Sequence, residues 1–345
     1  MDLEEFLKEW HSDSPTLTVH TSGSTGTPKA MLVEKRRMEA SARITCRFLG
    51  LKEGDTALLC LPLDYIAGKM MVVRALTCGL RLISVAPSGH PLKAPPTAPE
   101  GASIVSAHEK GVTSPPLGGV RGGAIDFAAM VPLQVWNSLQ VAEERKQLMQ
   151  IKHLIIGGGA IDEELERQLK DFPNAVWSTY GMTETLSHIA LRRLNGPGAS
   201  EWYTPFEGVE VSLNADSCLV INAPAVHDGP LVTNDIATLH LQSLFRILGR
   251  KDNVICSGGI KIQAEEVERL LRPYMKKPFC ITRMKDMRLG EAVVLLTEET
   301  DTESLRLLCE QELPRLWKPR HYVSVAKIPL TATGKIARHE AENLV

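Results

Sequence analysis

The chain has 345 residues, with 39 Lys+Arg against 41 Asp+Glu, a formal net charge of −2 and seven cysteines. This charge balance gives no support to nucleic-acid or anionic-membrane binding as the main function. The cysteines lie far apart with no CxxC pair, which argues against a structural zinc site or a disulfide framework and fits a reducing, cytoplasmic setting, and no apolar run approaches the ~20 residues needed to span a bilayer. The length allows two domains that bury roughly 75% of the unfolded surface.

In "MDLEEFLKEW", residues Leu3, Phe6, Leu7 and Trp10 follow i, i+3, i+4, i+7 spacing. That predicts an amphipathic helix. The segment is acidic and lacks the apolar centre of a signal peptide, so it reads as a natural start. Six short apolar runs then predict buried strands: 16–20, 56–62, 80–86, 125–131, 153–159 and 175–181. Helical patterns at 34–49, 134–150 and 161–172 alternate with them. Such alternation predicts an α/β fold whose mostly parallel sheet is flanked by helices. The Pro-rich stretch 87–101 predicts a surface connector. After about residue 200 the strands shorten. Beyond Arg250 a helix (264–274), a strand (291–299), a helix (301–313) and a strand (321–329) predict a small α+β unit. The expected division is 1–251 and 252–345.

Five segments could carry chemistry. "HTSGSTGTPK" (20–29) holds hydroxyls, two glycines and Lys29 after a strand. Glycines admit close approach and successive N–H groups can hold an anion, while Lys29 adds charge. It is not a GxxxxGK[ST] loop, and a polar linker would have a similar composition. "STYGMTET" (178–185) offers a flat ring at Tyr180, a donor at Thr183 and an oxygen ligand for Mg²⁺ at Glu184. "IIGGGAI" (155–161) ends a strand in three glycines, where α/β sheets bind ligands. Asp235 could accept from ribose hydroxyls and Arg250 could pair with a ribose or phosphate oxygen. Lys335 follows Gly334 near the end of the chain. Each has an ordinary structural alternative: a strand turn, a surface ion pair, a solvated lysine.

Their order is more informative than any one of them. "TSGSTGTPK", "YGMTET", "GRKDNVICSGGIKIQAEEVE" and "PLTATGKIAR" together resemble the adenylate-forming superfamily of acyl-CoA synthetases, peptide-synthetase adenylation domains and luciferases. The likeness is collinear from about Thr18 to Arg338. Within it, "LPLDYIAGKMMVVRAL" (61–76) and "YGMTETLSHIALRRLNG" (180–196) most resemble the o-succinylbenzoate–CoA ligases of menaquinone biosynthesis.

The resemblance implies an ATP-dependent, Mg²⁺-requiring acid–CoA ligase. It would form an acyl-adenylate and then a CoA thioester. Thr21, Ser22, Gly23, Ser24, Thr25, Gly26 and Lys29 would cradle the outer phosphates. Gly157, Gly158, Gly159 and Ala160 would line the adenine slot, with Tyr180 and Gly181 beside them. Thr183 would touch the α-phosphate and Glu184 would hold the metal. Asp235 and Arg250 would bind ribose. Lys335 would bridge the acid and the α-phosphate. Asp252 matches a hinge position, and Gly258, Gly259 and Lys261 match the loop bordering the CoA tunnel. Family members carry a long region ahead of the phosphate loop, which here begins about twenty residues in. A subdomain is therefore expected to be lacking.

The acid has two carboxylates, and one must be held without being activated. On the helix around 67–76, Lys69 and Arg74 lie about 140° apart, so one ligand should not see both as a pair. Either could face the pocket, or pair internally with Asp64 or another acid. Tyr65, Ser187 and His188 are further candidates. The partners expected are a carboxylic acid, ATP and CoA, without nucleic acid or a membrane span, and homo-oligomerisation stays open. The alternatives are a ligase for another aryl or acyl acid, an enzyme loading a carrier protein, and a nucleotide-binding protein without catalysis.

Overall fold

A computed structural model describes residues 1–20, 30–93, 104–105, 125–241, 243–330 and 336–345. The expected phosphate loop (21–29), Lys335 and most of the 87–101 connector lie outside them. Contacts divide the chain into two compact units. One holds most of residues 1–210 with 222–231, and the other holds 211–221 and 232–345.

The first unit opens with α1 (Leu3–Trp10), capped by Asp2 and Glu5 in a reciprocal box that satisfies two orphan N–H groups. It buries Phe6, Leu7 and Trp10, as the spacing predicts. Strands β1 (Thr16–His20) and β2 (Ala30–Glu34) pair antiparallel, with His20 opposite Ala30. Helix α2 (Lys35–Leu49) ends on left-handed Gly50, and after β3 (Thr56–Leu59) helix α3 (Ile66–Cys78) ends on left-handed Gly79. There follow β4 (Arg81–Ser84), β5 (Ile104–Val105), β6 (Phe127–Met130), α4 (Pro132–Leu139), α5 (Ala142–Gln150), β7 (His153–Ile156), α6 (Glu163–Leu169), β8 (Ala175–Met182), β9 (Ser187–Arg193) and β10 (Thr204–Pro205).

Eight strands form one sheet in the order β10-β9-β8-β7-β6-β3-β4-β5. The pairs β8–β7, β7–β6, β6–β3 and β3–β4 are parallel, and the edge pairs are antiparallel. All four residues of β3 and of β6 are buried, so central strands read as continuous apolar runs. Met130, Leu139, Leu148, Ile156, Leu165 and Val176 share one core between this sheet and α4–α6.

One expected helix, 134–150, is two. Val141 leaves the helical region (φ −114°, ψ 117°) between α4 and α5. On a continuous helix Ser138 and Glu144 would lie about 120° apart. The break brings the Glu144 carboxylate to 2.9 Å from Ser138 Oγ and 3.1 Å from His90 Nδ1. A buried carboxylate thereby gains its hydrogen bonds.

The second unit holds β11 (Glu210–Leu213), β12 (Cys218–Asn222), β13 (Leu231–His240) and β14 (Leu244–Arg250) in a four-stranded sheet. A five-stranded sheet follows, built from β15 (Val254–Ser257), β16 (Ile260–Gln263), β17 (Phe279–Asp286), β18 (Gly290–Thr297) and β19 (His321–Ser324). Helix α7 (Ala264–Leu271) and α8 (Thr302–Glu312) pack against it through Val267, Leu271, Phe279, Val293 and Leu295, and α9 (Arg338–Glu342) ends the unit. Among the described residues no helix is long and apolar enough to cross a membrane.

Candidate active site

The glycine turn sits at the carboxyl end of β7, where Ile155 and Ile156 are buried. A Cβ on Gly157 would meet Thr179 Oγ1 of neighbouring β8 at 2.2 Å, so only glycine fits. Gly158 follows with φ +78°, and Gly159 and Ala160 lead towards α6. This is the place where parallel sheets present backbone to a ligand. Beside it, the Tyr180 ring lies 5.8 Å from that of Tyr203, tilted by 56°. Tyr203 Oη shares a 2.8 Å hydrogen bond with Ser178 Oγ.

Strand β8 runs into the hairpin that carries "YGMTET". Its ladder with β9 shifts register between Tyr180 and Gly181. A Cβ on Gly181 would meet Ser187 O at 2.2 Å, so the hairpin closes on bare backbone. At its tip Leu186 (φ 57°) and Ser187 (φ 143°) both take positive φ without being glycine. Such residues cost on the order of 1–3 kcal/mol each and need support. Thr185, fully buried, supplies it: its hydroxyl accepts from Met182 N at 3.0 Å and lies 2.7 Å from Ser187 O. Thr183 is buried and Glu184 half-buried beside this tip. Among the described residues Glu184 is in no metal-ligand cluster. A single carboxylate of this kind suits Mg²⁺ shared with phosphates rather than an all-protein cage.

The two cations of α3 part company. The Lys69 Nζ stands 3.2 Å from Met1 Sδ and 5.3 Å from the centre of the Phe6 ring, on the side of α1. Burial pulls its pKa down, opposed by Glu9 and Asp64. Asp64 itself is exposed and pairs with the amino terminus at 3.1 Å. Tyr65 caps α3 and bridges to His20.

Arg74 points towards β9 and is 1% exposed. Its Nη2 donates to Ser187 Oγ at 2.9 Å, Nη1 has only Met71 Sδ at 3.9 Å, and Nε has no partner among the described residues. Burial lowers the guanidinium pKa to about 10, and the charges that oppose this are the Cys46 and Cys78 thiols, not a carboxylate. It therefore stays cationic at neutral pH. Ser187 Oγ lies 3.1 Å from His188 Nδ1, and His188 Nε2 lies 3.1 Å from Thr45 Oγ1 on α2. Burial first, then Arg74, drives the His188 pKa well below its ordinary value, so the ring is neutral.

That neutrality predicts an acid-side weakness. The unfolded ring takes up a proton below about pH 6.5 and the folded ring does not, so stability falls as pH drops through that value by about 1.4 kcal/mol per unit. Denaturant midpoints of wild type and His188→Gln between pH 7 and 5 should show a shallower slope in the variant.

In the second unit Asp235 on β13 stands in register with Arg250 on β14. Arg250 Nη1 is 3.5 Å from Asp235 Oδ1, and Nη2 is 3.0 Å from Asp252 Oδ2. Three expected residues thus meet in one half-exposed cluster. Gly258 (φ 57°) and Gly259 (φ 81°) form the two-residue turn between β15 and β16, a conformation that needs positive φ at both centres. Lys261 follows, exposed on β16.

Sequence reasoning missed Thr45, Thr179, Thr185 and Tyr203. A signal existed for Thr45: it falls on the apolar stripe Met38, Ala42, Cys46, Leu49 of α2, where a hydroxyl needs a partner.

Residues 3–218 match the model of the AMP-binding enzyme family. A 2-succinylbenzoate–CoA ligase of Bacillus mycoides is 23% identical over 373 aligned positions, covering 99% of this chain and 73% of that protein. The acyl-CoA synthetase (AMP-forming)/AMP-acid ligase II-like protein of Dyadobacter fermentans, a crystal structure, is 31% identical with a TM-score of 0.61, covering 98% of this chain and 92% of that one. The o-succinylbenzoate CoA synthetase of Bacillus subtilis, solved with its acyl-adenylate intermediate, has a TM-score of 0.71 at 20% identity, covering 94% and 68%. The family match, together with a glycine turn and a "YGMTET" hairpin at adjoining strand ends, establishes that the chain belongs to the AMP-binding enzyme family.

Proposed function

We propose that the protein is an AMP-forming acid–CoA ligase whose acid is o-succinylbenzoate. The observation that carries the choice of acid is Arg74, a buried cation whose Nε has no partner and which no carboxylate faces among the described residues. A buried charge needs an anion, and the second carboxylate of a dicarboxylic acid would supply one.

In the first step a carboxylate oxygen attacks the α-phosphorus of ATP, the bond to the bridging oxygen breaks and pyrophosphate leaves. In the second, the thiolate of CoA attacks the acyl carbon and AMP leaves. The first step brings like charges together, so positioning and charge stabilisation dominate. Ser22 to Lys29 would hold the outer phosphates, Gly157 to Ala160 and Tyr180 the adenine, Thr183 the α-phosphate, and Asp235 and Arg250 the ribose. Mg²⁺, held by Glu184 and phosphate oxygens, would neutralise part of the developing charge. Lys335 would serve the first step only, with Asp252 as the hinge that lets residues 252–345 change their face for the second.

ATP–pyrophosphate exchange with a panel of acids tests this reading. Exchange should be strong with o-succinylbenzoate and weak with benzoate. The reverse order would refute the assignment of the acid.

A further inference from the structure

A hydrogen-bonded chain leads from α3 through the hairpin to α2: Arg74, Ser187, His188, Thr45 and the Ser41 carbonyl. We propose that Thr45 is a positioning residue for acid recognition, fixing the tautomer of His188 and, through Ser187, the orientation of Arg74. The proposal rests on the reading of Arg74 as the cation that meets the acid.

The proton inventory carries it. A guanidinium has only donors, so Ser187 Oγ must accept from Arg74. The neutral His188 ring has one N–H. Thr45 Oγ1 lies 3.1 Å from Ser41 O, a pure acceptor, so its proton goes there and its lone pair faces His188. His188 then donates from Nε2 and accepts at Nδ1, where the Ser187 hydroxyl proton goes. The Ser187 and Thr45 hydroxyls and the His188 ring N–H then each have an acceptor. The opposite tautomer would have Ser187 Oγ accept from both Arg74 and His188, with its own proton left without an acceptor among the described residues.

Directionality has a consequence for the ligand. With Ser187 held as an acceptor, Arg74 is anchored through Nη2, its Nη1 rests against Met71 Sδ at 3.9 Å, and its Nε is the donor without a partner among the described residues that a carboxylate could take. Thr45 sits on α2, and its hydroxyl bonds to Ser41 O and to the His188 ring rather than to Arg74 or Ser187, so it acts on them through the ring. Its own burial is complete, so no solvent can substitute for its hydroxyl.

The test has two arms. Imidazole ¹⁵N shifts of the wild-type protein should show His188 protonated at Nε2, and Thr45→Val, which keeps shape but loses the hydroxyl, should mix the tautomers. In steady-state assays Thr45→Val should raise KM for o-succinylbenzoate about tenfold, as expected for loosening one charge-assisted hydrogen bond, with KM for ATP and kcat changed less than about twofold. Thr45→Ser should restore both readouts. A wild-type ring protonated at Nδ1, or an unchanged acid KM in Thr45→Val, overturns the proposal. The wild-type ¹⁵N measurement needs no variant and no substrate. It therefore separates failure of the chain from failure of the acid assignment, which the exchange panel reads.

Discussion

Replacing Arg74 by Met is expected to lower kcat/KM for o-succinylbenzoate by about 10²–10³-fold while leaving the fold as stable as before or more so. The loss follows because a carboxylate brought into a dry pocket without its cation forfeits a charge-paired contact worth roughly 2–5 kcal/mol. The stability outcome runs the other way. Arg74 is buried and faces no carboxylate among the described residues, so an apolar side chain of similar volume removes a desolvation cost. Kinetics and a denaturant titration on one variant check both halves. A fall in stability with activity retained would mean that Arg74 is structural. The pH dependence has a defined sign. Burial holds the folded pKa near 10, below the ordinary 12.5, so binding of the second carboxylate weakens as pH rises through about 10. The cost of burying the charge is relieved over the same range.

Lys335→Ala is expected to reduce ATP–pyrophosphate exchange by about 10²–10³-fold, the usual effect of deleting one group that stabilises developing charge. ATP binding should be nearly unchanged, and so should thioester formation from a supplied acyl-adenylate, because the lysine is assigned to the first step alone. Isothermal titration and a single-turnover assay separate the three quantities. A variant that loses both half-reactions equally would place the residue in overall architecture instead.

Much of the fold was legible because the central strands are short, apolar and separated by helical patterns. Strand β9 was not. "SHIALRR" shows no clean alternation, since His188 is a polar residue facing inward with partners that only tertiary packing supplies. The break between α4 and α5 escaped for a similar reason. Residues 134–150 keep a helical period throughout, and the bend is set by Glu144 finding Ser138 and His90. For the site, the 140° separation of Lys69 and Arg74 correctly sent them to different sides. Which of them met the hairpin depended on where α1 and β9 pack, and that is not written in α3. Asp64, one of the acids with which either cation could have paired, instead meets the amino terminus. The Asp235–Arg250 meeting needed the β13–β14 register, which no single residue reveals.

The twin positive-φ residues at the hairpin tip bear on how this enzyme could be re-engineered. Leu186 and Ser187 hold their shape only with Thr185 beneath them and bare backbone at Gly181. Side-chain swaps in that turn must therefore arrive as a coordinated set. On helix α3 the more permissive positions are Met70 and Met71, fully buried, flexible thioethers that can be traded for other shapes, whereas Gly68 must stay because a Cβ there would meet Pro62 O at 2.2 Å. A library seeking new acids would find more folded variants by varying Met70 and Met71 than by randomising the turn.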